Sequence, residues 1–360
     1  MIWTPVLSSP YLSARFSFMS NRTKNAIYSM ILFTMVIAVW WARHGSRPDP
    51  IQIEGETMAT TYHVTYFDDQ NRNFKKGIDS VLILVNKSIN TYDPSSEIST
   101  FNRTSTGIGV RLPYLLPPLQ TAAAVVKESG GAFDPTVMPL VNVWGFGPAV
   151  RDMPDSVEID SLLSFIGFEK VRFNNDSIWK IDPRAQLDFG GIGQGYGADV
   201  IADFLRTKGI INMFVELGGE GMAIGINLKT GKLWSIGILD PRSTYENQFF
   251  KAYINLSDRS FTTSGNYFNY REVDGRKFSH TIDPETGYPA NKAILSASVF
   301  ASDCATADAW GTAFMVMGHE EAIRILQSQS GLDAFLVYST PGGIATFATP
   351  GISDNLEINP

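Results

Sequence analysis

The chain of 360 residues is poor in cysteine, histidine and charge. Its single cysteine, Cys304, has no partner for a disulfide within the chain, and a structural zinc site built from several cysteines is excluded. Charged residues make up 18% of the sequence, and the formal net charge is -7 at pH 7. We expect no nucleic-acid binding from such an acidic chain, because neutralising phosphates requires a basic face.

Several common catalytic signatures are also missing. The sequence contains no Walker phosphate-binding loop, no HExxH zinc helix and no GxSxG nucleophile turn, so hydrolases of those types have no support. It has no internal repeat and no low-complexity tract. Apolar residues make up 44% of the chain, which is enough for a sizeable core and argues against disorder.

One segment differs from the rest, because Asn25–Ala42 is a run of 18 residues without a charge. That length is close to the minimum for a helix that crosses a bilayer. Trp40 and Trp41 lie at its end, where aromatic rings favour the headgroup region. The alternative is a buried core helix. No A-x-A cleavage site follows, so we predict an uncleaved anchor, with the translation start at Met1 or Met19 left open.

The rest of the chain is predicted to form one globular domain of the α+β class, with mixed or antiparallel sheets and flanking helices. We predict a cytoplasmic leader over residues 1–24, a transmembrane anchor over 25–42, a linker over 43–50, the globular domain over 51–350 and a tail over 351–360. Apolar periodicity predicts helices over Phe74–Tyr92, Leu115–Glu128, Ser156–Ile166, Ala198–Lys208, Ser302–Met317 and Glu320–Ser328. Strands are predicted over Thr60–Phe67, Lys170–Phe173, Ser177–Ile181, Asn212–Leu217, Met222–Ile226, Trp234–Leu239 and Ala334–Tyr338.

The segment Leu187–Asp199 (LDFGGIGQGYGAD) is rich in glycine. Such glycines let backbone N–H groups approach a phosphate, with the N-terminus of the following helix behind them. Gly193, Gly195 and Ala198 also fit a loose dinucleotide-binding fingerprint, with Glu216 near the place of a ribose-binding acid. A tight strand-to-helix turn without any ligand is equally compatible with the segment.

Asp308 and Thr312 are four residues apart in the predicted helix Ser302–Met317, so their side chains share one face. Both offer hard oxygen ligands suited to Mg²⁺, and such a cation would neutralise a pyrophosphate. The alternative is that the helix dipole favours Asp308 near the N-terminus and that Thr312 only packs.

Three further segments offer polar or aromatic groups to a ligand. His280 precedes the predicted rigid turn Asp283–Gly287 and could act as an acid, a base or a phosphate donor. The segment Thr262–Tyr267 supplies small hydroxyls and a glycine, and Tyr92 could stack on a flat ring. Plainer alternatives are a satisfied histidine, an ordinary turn and a tyrosine at the edge of the core.

Taken together and in this order, these segments resemble the ApbE family of FAD:protein FMN transferases. The resemblance runs from residue 55 to about residue 340, nearly all of the predicted globular domain. Its landmarks are GETMATTY (Gly55–Tyr62), NTYDPSSEISTFN (Asn90–Asn102), GAFDPTVMPLVNVWGFG (Gly131–Gly147), LDFGGIGQGYGAD (Leu187–Asp199), ELGGE (Glu216–Glu220), TTSGNY (Thr262–Tyr267), HTIDPETGYP (His280–Pro289) and ADAWGT (Ala307–Thr312).

The resemblance implies a fold and a set of binding residues. The family's α+β fold is related to tunnelling-fold proteins and holds FAD in a cleft. Residues that match its FAD-contacting positions are Met58, Tyr92, Asp188, Gly190, Gly191, Thr263, Ser264 and Gly265. Among them, Tyr92 would stack on the isoalloxazine ring.

The resemblance also implies a magnesium site and a proton acceptor. Asp308 and Thr312 match the family's metal-binding side chains, and Gly193 falls where a backbone carbonyl completes the metal site. His280 matches the family's histidine near the pyrophosphate, and either His280 or Asp308 would take the proton of the attacking hydroxyl. In the same loop, Gln194 replaces the usual lysine and so removes a positive charge near the nucleotide.

The activity implied is the Mg²⁺-dependent transfer of FMN from FAD to a threonine of an acceptor protein, with a phosphoester formed and AMP released. The acceptor would be a flavoprotein subunit of a membrane redox complex. A single-pass anchor in the cytoplasmic (inner) membrane would hold the catalytic domain in the periplasm. Alternatives are an FAD pyrophosphatase, an FAD-binding protein without turnover and, more distantly, a dinucleotide oxidoreductase.

Overall fold

The computed structural model describes residues 20–44, 47–147, 153–244, 246–265, 270–273 and 276–359. The chain divides into two compact units, Met1–Arg47 and Pro48–Pro360. The first unit contains a single described helix, and the second contains all the described strands.

The helices and strands have the following bounds. The helices are α1 (Asn21–His44), α2 (Lys75–Ile89), α3 (Glu97–Arg103), α4 (Leu116–Glu128), α5 (Met138–Val143), α6 (Ser156–Leu163), α7 (Gly193–Thr207), α8 (Cys304–Met317), α9 (His319–Ser328) and α10 (Pro350–Ser353). The strands are β1 (Ile51–Thr57), β2 (Thr60–Tyr66), β3 (Gly107–Gly109), β4 (Val171–Phe173), β5 (Ser177–Lys180), β6 (Met213–Leu217), β7 (Glu220–Ile224), β8 (Trp234–Leu239), β9 (Phe250–Leu256), β10 (Arg259–Gly265), β11 (Tyr270–Val273), β12 (Arg276–Ser279), β13 (Ile294–Phe300), β14 (Asp333–Thr340), β15 (Gly343–Ala348) and β16 (Leu356–Ile358).

The second unit is built on an eight-stranded sheet in the order β1-β2-β6-β7-β10-β13-β14-β15. Three smaller sheets accompany it, in the orders β11-β12, β16-β9-β8 and β3-β5-β4. Neighbouring strands in the large sheet run antiparallel. The predicted α+β class with antiparallel sheets is confirmed.

Helix α8 lies at the centre of this unit and packs against β10, β13, α7 and α4. It is buried on nearly every side, because its small residues admit close neighbours and Trp310 and Phe314 fill the core. A helix that is apolar all round is expected to be buried in this way. The same burial carries the acidic side chain of Asp308 into the interior, where it is only 6% exposed.

Most predicted elements lie within a few residues of their expected bounds, but α7 begins earlier than expected. The prediction started this helix at Ala198, whereas it begins at Gly193. Glycine weakens a helix in isolation. Here the first turn is fixed from outside, because the Gly195 N–H donates to a carboxylate oxygen of Asp308 at 3.1 Å.

The strands that the sequence did not predict include β1, β9, β10, β13 and β15. In β13 (ILSASVF) six of the seven residues are buried, so the apolar and polar residues do not alternate as in a strand with one wet face. Strand β14, which was predicted, has a continuous apolar run of Phe335–Val337 instead. Strand β13 was not predicted because its residues neither alternate nor form a continuous apolar run.

The end of the chain, predicted as a tail, is part of the fold. Helix α10 buries Ile352, which is 2% exposed, and Leu356 in β16 pairs with Ile254 in β9. The Lys251 ammonium also donates to the carbonyl of Asn359 at 2.9 Å. The C-terminal residues therefore form part of the three-stranded sheet β16-β9-β8.

Helix α1 is long and apolar enough to cross a membrane over Asn21–Trp40. Its large side chains are exposed, and Tyr28, Leu32 and Phe33 are each 65% accessible. This exposed apolar surface fits the predicted anchor better than the alternative of a buried core helix. A signal sequence would carry the same pattern.

Candidate active site

A cleft of about 1060 Å³ opens at the N-terminal end of α7, against the middle of α8. Its walls come from elements far apart in the chain, including the β1–β2 turn, the loop after α2, the glycine-rich loop and β10. The structure brings every residue predicted for binding, metal or catalysis to this cleft: Met58, Tyr92, Asp188, Gly190, Gly191, Gly193, Thr263, Ser264, Gly265, His280, Asp308 and Thr312.

The turn between β1 and β2 presents Met58 to the cleft. Met58 and Ala59 form a two-residue loop, and both have positive φ angles, of 50° and 58°. Such angles belong to a type I′ hairpin turn, where glycine and asparagine are preferred. A Cβ on Gly197 of α7 would lie 3.3 Å from Met58 Cε, so the methionine packs closely on the helix. The strained turn is thereby held against α7.

Tyr92 offers an exposed aromatic face at the cleft. The residue is 63% exposed, while its hydroxyl donates to the carbonyl oxygen of Phe146 at 2.9 Å. Partial burial raises the pKa of the Tyr92 hydroxyl, and the nearby charge of Asp188 raises it further. A tyrosine that is fixed at its hydroxyl and open on its face is suited to stacking on a planar ligand.

The loop before α7 wraps around the carboxyl group of Asp188. The backbone N–H groups of Phe189 and Gly190 donate to this carboxyl, which lowers its pKa, but burial has the larger effect and raises the pKa to about 6. A Cβ at position 190 would lie 2.9 Å from Asp188 Oδ2, so the loop backbone passes close to the carboxyl group. The loop therefore presents Asp188 to the cleft as a fixed acceptor.

Helices α7 and α8 each supply an aspartate to the N-terminal end of the other. Asp308 on α8 accepts from Gly195 N at 3.1 Å, and Asp199 on α7 accepts from Cys304 N and Ala305 N at 2.8 and 2.9 Å. Burial raises the pKa of Asp199 to about 7. Burial also raises the pKa of Asp308, and the negative charge of Asp199 adds to that rise. The exchange fixes the Asp308 carboxyl at the cleft wall.

Thr312 follows Asp308 by one helical turn, and both line the cleft. Gly191 packs directly against Thr312, since a Cβ there would lie 2.6 Å from Thr312 Oγ1. Gly193, which was predicted to supply the metal-binding carbonyl, lines the cleft as the first residue of α7. A Cβ on Gly193 would lie 3.5 Å from Ile89 Cδ1. Of the two glycines, only Gly191 has an ideal Cβ position within 4 Å of Thr312.

Strand β10 brings small hydroxyl side chains and its last residue, Gly265, to the cleft. Thr263 Oγ1 and Ser298 Oγ are 2.9 Å apart and form a hydrogen bond. A Cβ on Gly311 of α8 would lie only 2.6 Å from Ser264 Oγ. This strand is therefore packed tightly on the helix that carries the Asp308–Thr312 pair. The last two residues of the predicted motif lie outside the described part of the chain.

His280 follows β12 directly, is exposed and lines the cleft. The predicted turn after it is present. The Asp283 carboxylate accepts from Glu285 N at 2.9 Å and from Thr286 N at 3.3 Å, and Asp283 N donates to the carbonyl of Tyr288 at 2.9 Å. These hydrogen bonds fix the backbone conformation of the segment after His280.

Glu220 also lines the cleft, although it was not among the predicted site residues. It begins β7 after the two-glycine turn, is 9% exposed, and has one carboxylate oxygen without a hydrogen-bond partner among the described residues. Burial raises the pKa of Glu220, and the charge of Asp308 raises it further. The available signal was an acidic residue directly after Gly218 and Gly219 in the ELGGE motif.

The dinucleotide-binding alternative does not match the structure. Strand β6, which carries Glu216, pairs antiparallel with both β2 and β7, whereas that fold requires parallel neighbours. The Glu216 carboxylate accepts from Gly219 N at 2.7 Å and lies 2.7 Å from His63 Nδ1. The Glu216 carboxylate therefore stabilises the turn between β6 and β7 and does not act as a ribose-binding acid.

Comparisons with known proteins agree with these observations. A model of the ApbE family matches residues 58–336. The FAD:protein FMN transferase of Vibrio cholerae is 33% identical over 308 residues, which is 84% of this chain and 91% of the relative. The FAD:protein FMN transferase of Haemophilus influenzae is 34% identical over 310 residues, which is 82% of this chain and 88% of the relative.

Solved structures give the same result for the fold. The flavin transferase ApbE from Vibrio cholerae superposes with a TM-score of 0.77 at 32% identity, covering 85% of this chain and 99% of its own. The apo form of the flavinyl transferase ApbE from Pseudomonas stutzeri gives a TM-score of 0.74 at 30% identity, covering 85% of this chain and 96% of its own. On the family match, these relatives and the shared fold, the chain belongs to the ApbE family.

Proposed function

We propose that this chain transfers FMN from FAD to a threonine side chain of an acceptor protein, with a phosphoester formed and AMP released. The observation that carries the proposal is the Asp308–Thr312 pair, which lines one cleft together with the N-terminal end of α7 and the exposed ring of Tyr92. These are the parts needed to hold a cation, a pyrophosphate and a flat ring next to one another. The names of the relatives support flavin transfer as the reaction.

The N-terminal end of α7 is suited to the pyrophosphate. The residue before the helix, Ile192, supplies no side-chain cap, and Gly193 and Gln194 line the cleft. A helix N-terminus attracts phosphate through its partial positive charge and its backbone N–H groups. Because glutamine is neutral where the family usually has lysine, the helix and a bound cation would supply most of the positive charge.

The residues present fit Mg²⁺. Asp308 supplies a carboxylate and Thr312 a hydroxyl, and the backbone of Gly191 packs against that hydroxyl. No group of three or more His, Cys, Asp or Glu side chains is placed to hold a metal within the described ranges. That is compatible with magnesium, which is usually bound through one or two carboxylates and substrate phosphates while keeping several waters. When bound, Mg²⁺ would neutralise the pyrophosphate and polarise the phosphorus under attack.

The protein's own side chains would then position the reacting groups and accept the proton. The threonine oxygen of the acceptor attacks the FMN-side phosphorus, and the bond from that phosphorus to the AMP oxygen breaks. We assign His280 as the group that takes the hydroxyl proton at a ring nitrogen, because it is exposed at the cleft, where an acceptor would enter. The Asp308 carboxylate is better suited to the cation, since it is buried and already fixed by Gly195.

We also propose that α1 anchors the enzyme in the cytoplasmic membrane with its catalytic domain in the periplasm. The support is the exposed apolar surface of α1 over Asn21–Trp40. A flavoprotein subunit of a membrane redox complex would then share the same surface as the enzyme. The test is a protease-accessibility assay on spheroplasts, in which digestion of the domain from the periplasmic side is expected and protection would contradict the orientation.

The activity is tested by mass spectrometry of such a subunit after incubation with full-length protein, FAD and Mg²⁺. We expect the acceptor to gain one phosphoester-linked FMN on a threonine, and AMP to appear in equal amount. Free FMN and AMP with an unshifted acceptor would instead identify an FAD pyrophosphatase. Unchanged FAD bound to folded protein would identify a carrier without turnover.

Two matched variants test the assignment of Asp308. Asp308→Asn keeps the size of the side chain but removes its charge, so metal-dependent turnover should fall by about 100-fold or more if the carboxylate holds the cation. Asp303→Asn is the control, because Asp303 caps α8 through Thr306 N at 2.8 Å and asparagine caps a helix equally well. Equal activity in both variants would remove Asp308 from the site.

A further inference from the structure

Glu220 carries a buried carboxylate oxygen without a hydrogen-bond partner among the described residues that line the cleft. Within the described residues, three buried side-chain atoms have no hydrogen-bond partner, namely Glu220 Oε2, Thr262 Oγ1 and Ser296 Oγ. Of these three residues only Glu220 lines the cleft, and only Glu220 is ionisable. A buried carboxylate oxygen without a partner is costly, which indicates a ligand that supplies the missing contact.

Close packing holds Glu220 near the Asp308 end of the cleft. The two-glycine turn before it lies against α7, since a Cβ at Gly218 would be 2.9 Å from the Gln194 side chain. The residue after it, Gly221, accepts a hydrogen bond from Cys304 Sγ at 2.9 Å, at the start of α8. The beginning of β7 is therefore fixed to both helices that form the Asp308 wall.

Among the described residues, no basic side chain forms an ion pair with Glu220 or Asp308. In the described part of the chain, the ion pairs of lysine, arginine and histidine involve other carboxylates, and none includes Glu220 or Asp308. Position 194 in the adjoining loop is glutamine and carries no charge. Two buried carboxyl groups that face one cleft, with no counter-charge among the described residues, favour a bound cation.

We propose that Glu220 supplies a second carboxylate to the divalent-cation site, together with Asp308 and Thr312. This inference rests on the proposed function, in which the cleft holds Mg²⁺ beside the FAD pyrophosphate. Two carboxylates and a hydroxyl make a set of hard oxygen donors for Mg²⁺ or Mn²⁺. With two carboxylates, the protein retains the cation before the nucleotide enters.

The test is Mn²⁺ binding to the full-length protein in detergent. Binding is measured from the electron paramagnetic resonance signal of the Mn²⁺ that remains free. The titration is made with the protein alone and again with saturating ADP, which carries a pyrophosphate but no flavin. We expect Glu220→Gln to weaken Mn²⁺ binding by about 10- to 100-fold. Glu216→Gln is the matched control and should stay within about twofold of the unaltered protein, because Glu216 is paired with His63 instead.

Thermal unfolding separates a metal-binding role from a structural one. Without metal, Glu220→Gln removes a buried charge and should leave the melting temperature unchanged or raise it. With saturating Mn²⁺, the same variant should melt below the unaltered protein, because it gains less from the ligand. A packing role would instead lower the melting temperature equally in both conditions.

The outcomes are distinct from those of the transfer assay. Equal Mn²⁺ affinity of Glu220→Gln and the unaltered protein, in both titrations, overturns the proposal, as does an unaltered protein that binds no Mn²⁺ in either. Weaker Mn²⁺ binding in the variant, with no FMN transfer by the unaltered protein, keeps Glu220 in the cation site and rejects the proposed function. Normal Mn²⁺ binding with lost turnover gives Glu220 a different role and also overturns the proposal.

Discussion

Asp199 and Asp308 cap each other's helices. Asp199 of α7 accepts from two backbone N–H groups at the start of α8, and Asp308 of α8 accepts from one at the start of α7. Each carboxylate lies where the dipole of the opposite helix favours negative charge. Because Asp308 also lines the cleft, these hydrogen bonds make the shape of the cleft depend on how α7 and α8 pack.

The stability of the metal-free protein should fall as the pH rises from about 4 to about 7. Burial raises the pKa of Asp199 from 3.8 to about 7, and the pKa values of Asp308 and Glu220 are raised in the same direction. In this range the folded state keeps protons that the unfolded chain has lost, so the free energy of unfolding decreases with pH. We expect a loss of the order of 2 kcal/mol between pH 5 and pH 8, measured by urea unfolding with a chelator present.

The variant Asp199→Asn checks the origin of this pH dependence. Asparagine cannot ionise, so the slope between pH 5 and pH 8 should become shallower. Asp68 and Asp182, whose pKa values are lowered to about 2 by hydrogen bonds from Arg72 and Arg184, act in the opposite direction but only at lower pH. Stability that is constant or increases up to pH 8 in the unaltered protein would contradict the expectation.

Gly195→Ala should separate α7 from α8. A Cβ at this position would lie 2.4 Å from the Cys304 carbonyl oxygen and 2.8 Å from Asp308 Cβ, and neither atom can easily move. Overpacking of this kind costs about 1–3 kcal/mol. Urea unfolding measures the loss, and Gly109→Ala is the control because its Cβ would have no neighbour closer than 4.0 Å. Equal stability of the two variants would show that the helix junction yields without cost.

Ala59→Gly should stabilise the protein by about 0.5 kcal/mol. Alanine at φ 58° occupies the left-handed region at a cost of about 1–2 kcal/mol. Glycine avoids this strain, but its greater conformational entropy in the unfolded chain offsets part of the gain. Ala202→Gly in the middle of α7 is the control with the opposite sign and should destabilise by about 1 kcal/mol. Chemical denaturation measures both, and a loss of stability in Ala59→Gly would contradict the strain at this turn.

Tyr92→Ala should weaken FAD binding by about 10- to 100-fold, which is the range expected when a stacking aromatic side chain is removed. Tyr92→Phe keeps the ring and loses only the hydrogen bond to Phe146, so its affinity should stay within a few-fold of the original. Quenching of flavin fluorescence measures both affinities. Equal losses in the two variants would assign the contribution to the hydroxyl rather than to the ring.

The sequence predicted the fold class and the long helices because their patterns are local. Helix α2 was expected from a stripe that includes Ile78, Leu82 and Val85, which is buried in the structure. The strand β13 was not predicted, since both of its faces are covered and its pattern does not alternate. The start of α7 was placed too late because the partner that stabilises it, Asp308, lies 113 residues further along the chain.

The residues of the site were recognised by their order along the chain, and their assembly in one cleft followed from packing. Asp308 and Thr312 share a helix, so a local spacing was enough to pair them. For Glu220 the local signal was only an acidic residue after two glycines, because its unpaired oxygen becomes buried only once β7, α7 and α8 are in contact. Amino-acid order thus determined the fold class, the exposed apolar helix and the family. Tertiary structure decided which carboxylates are buried together, because desolvation and charge–charge contact depend on distances through space rather than along the chain.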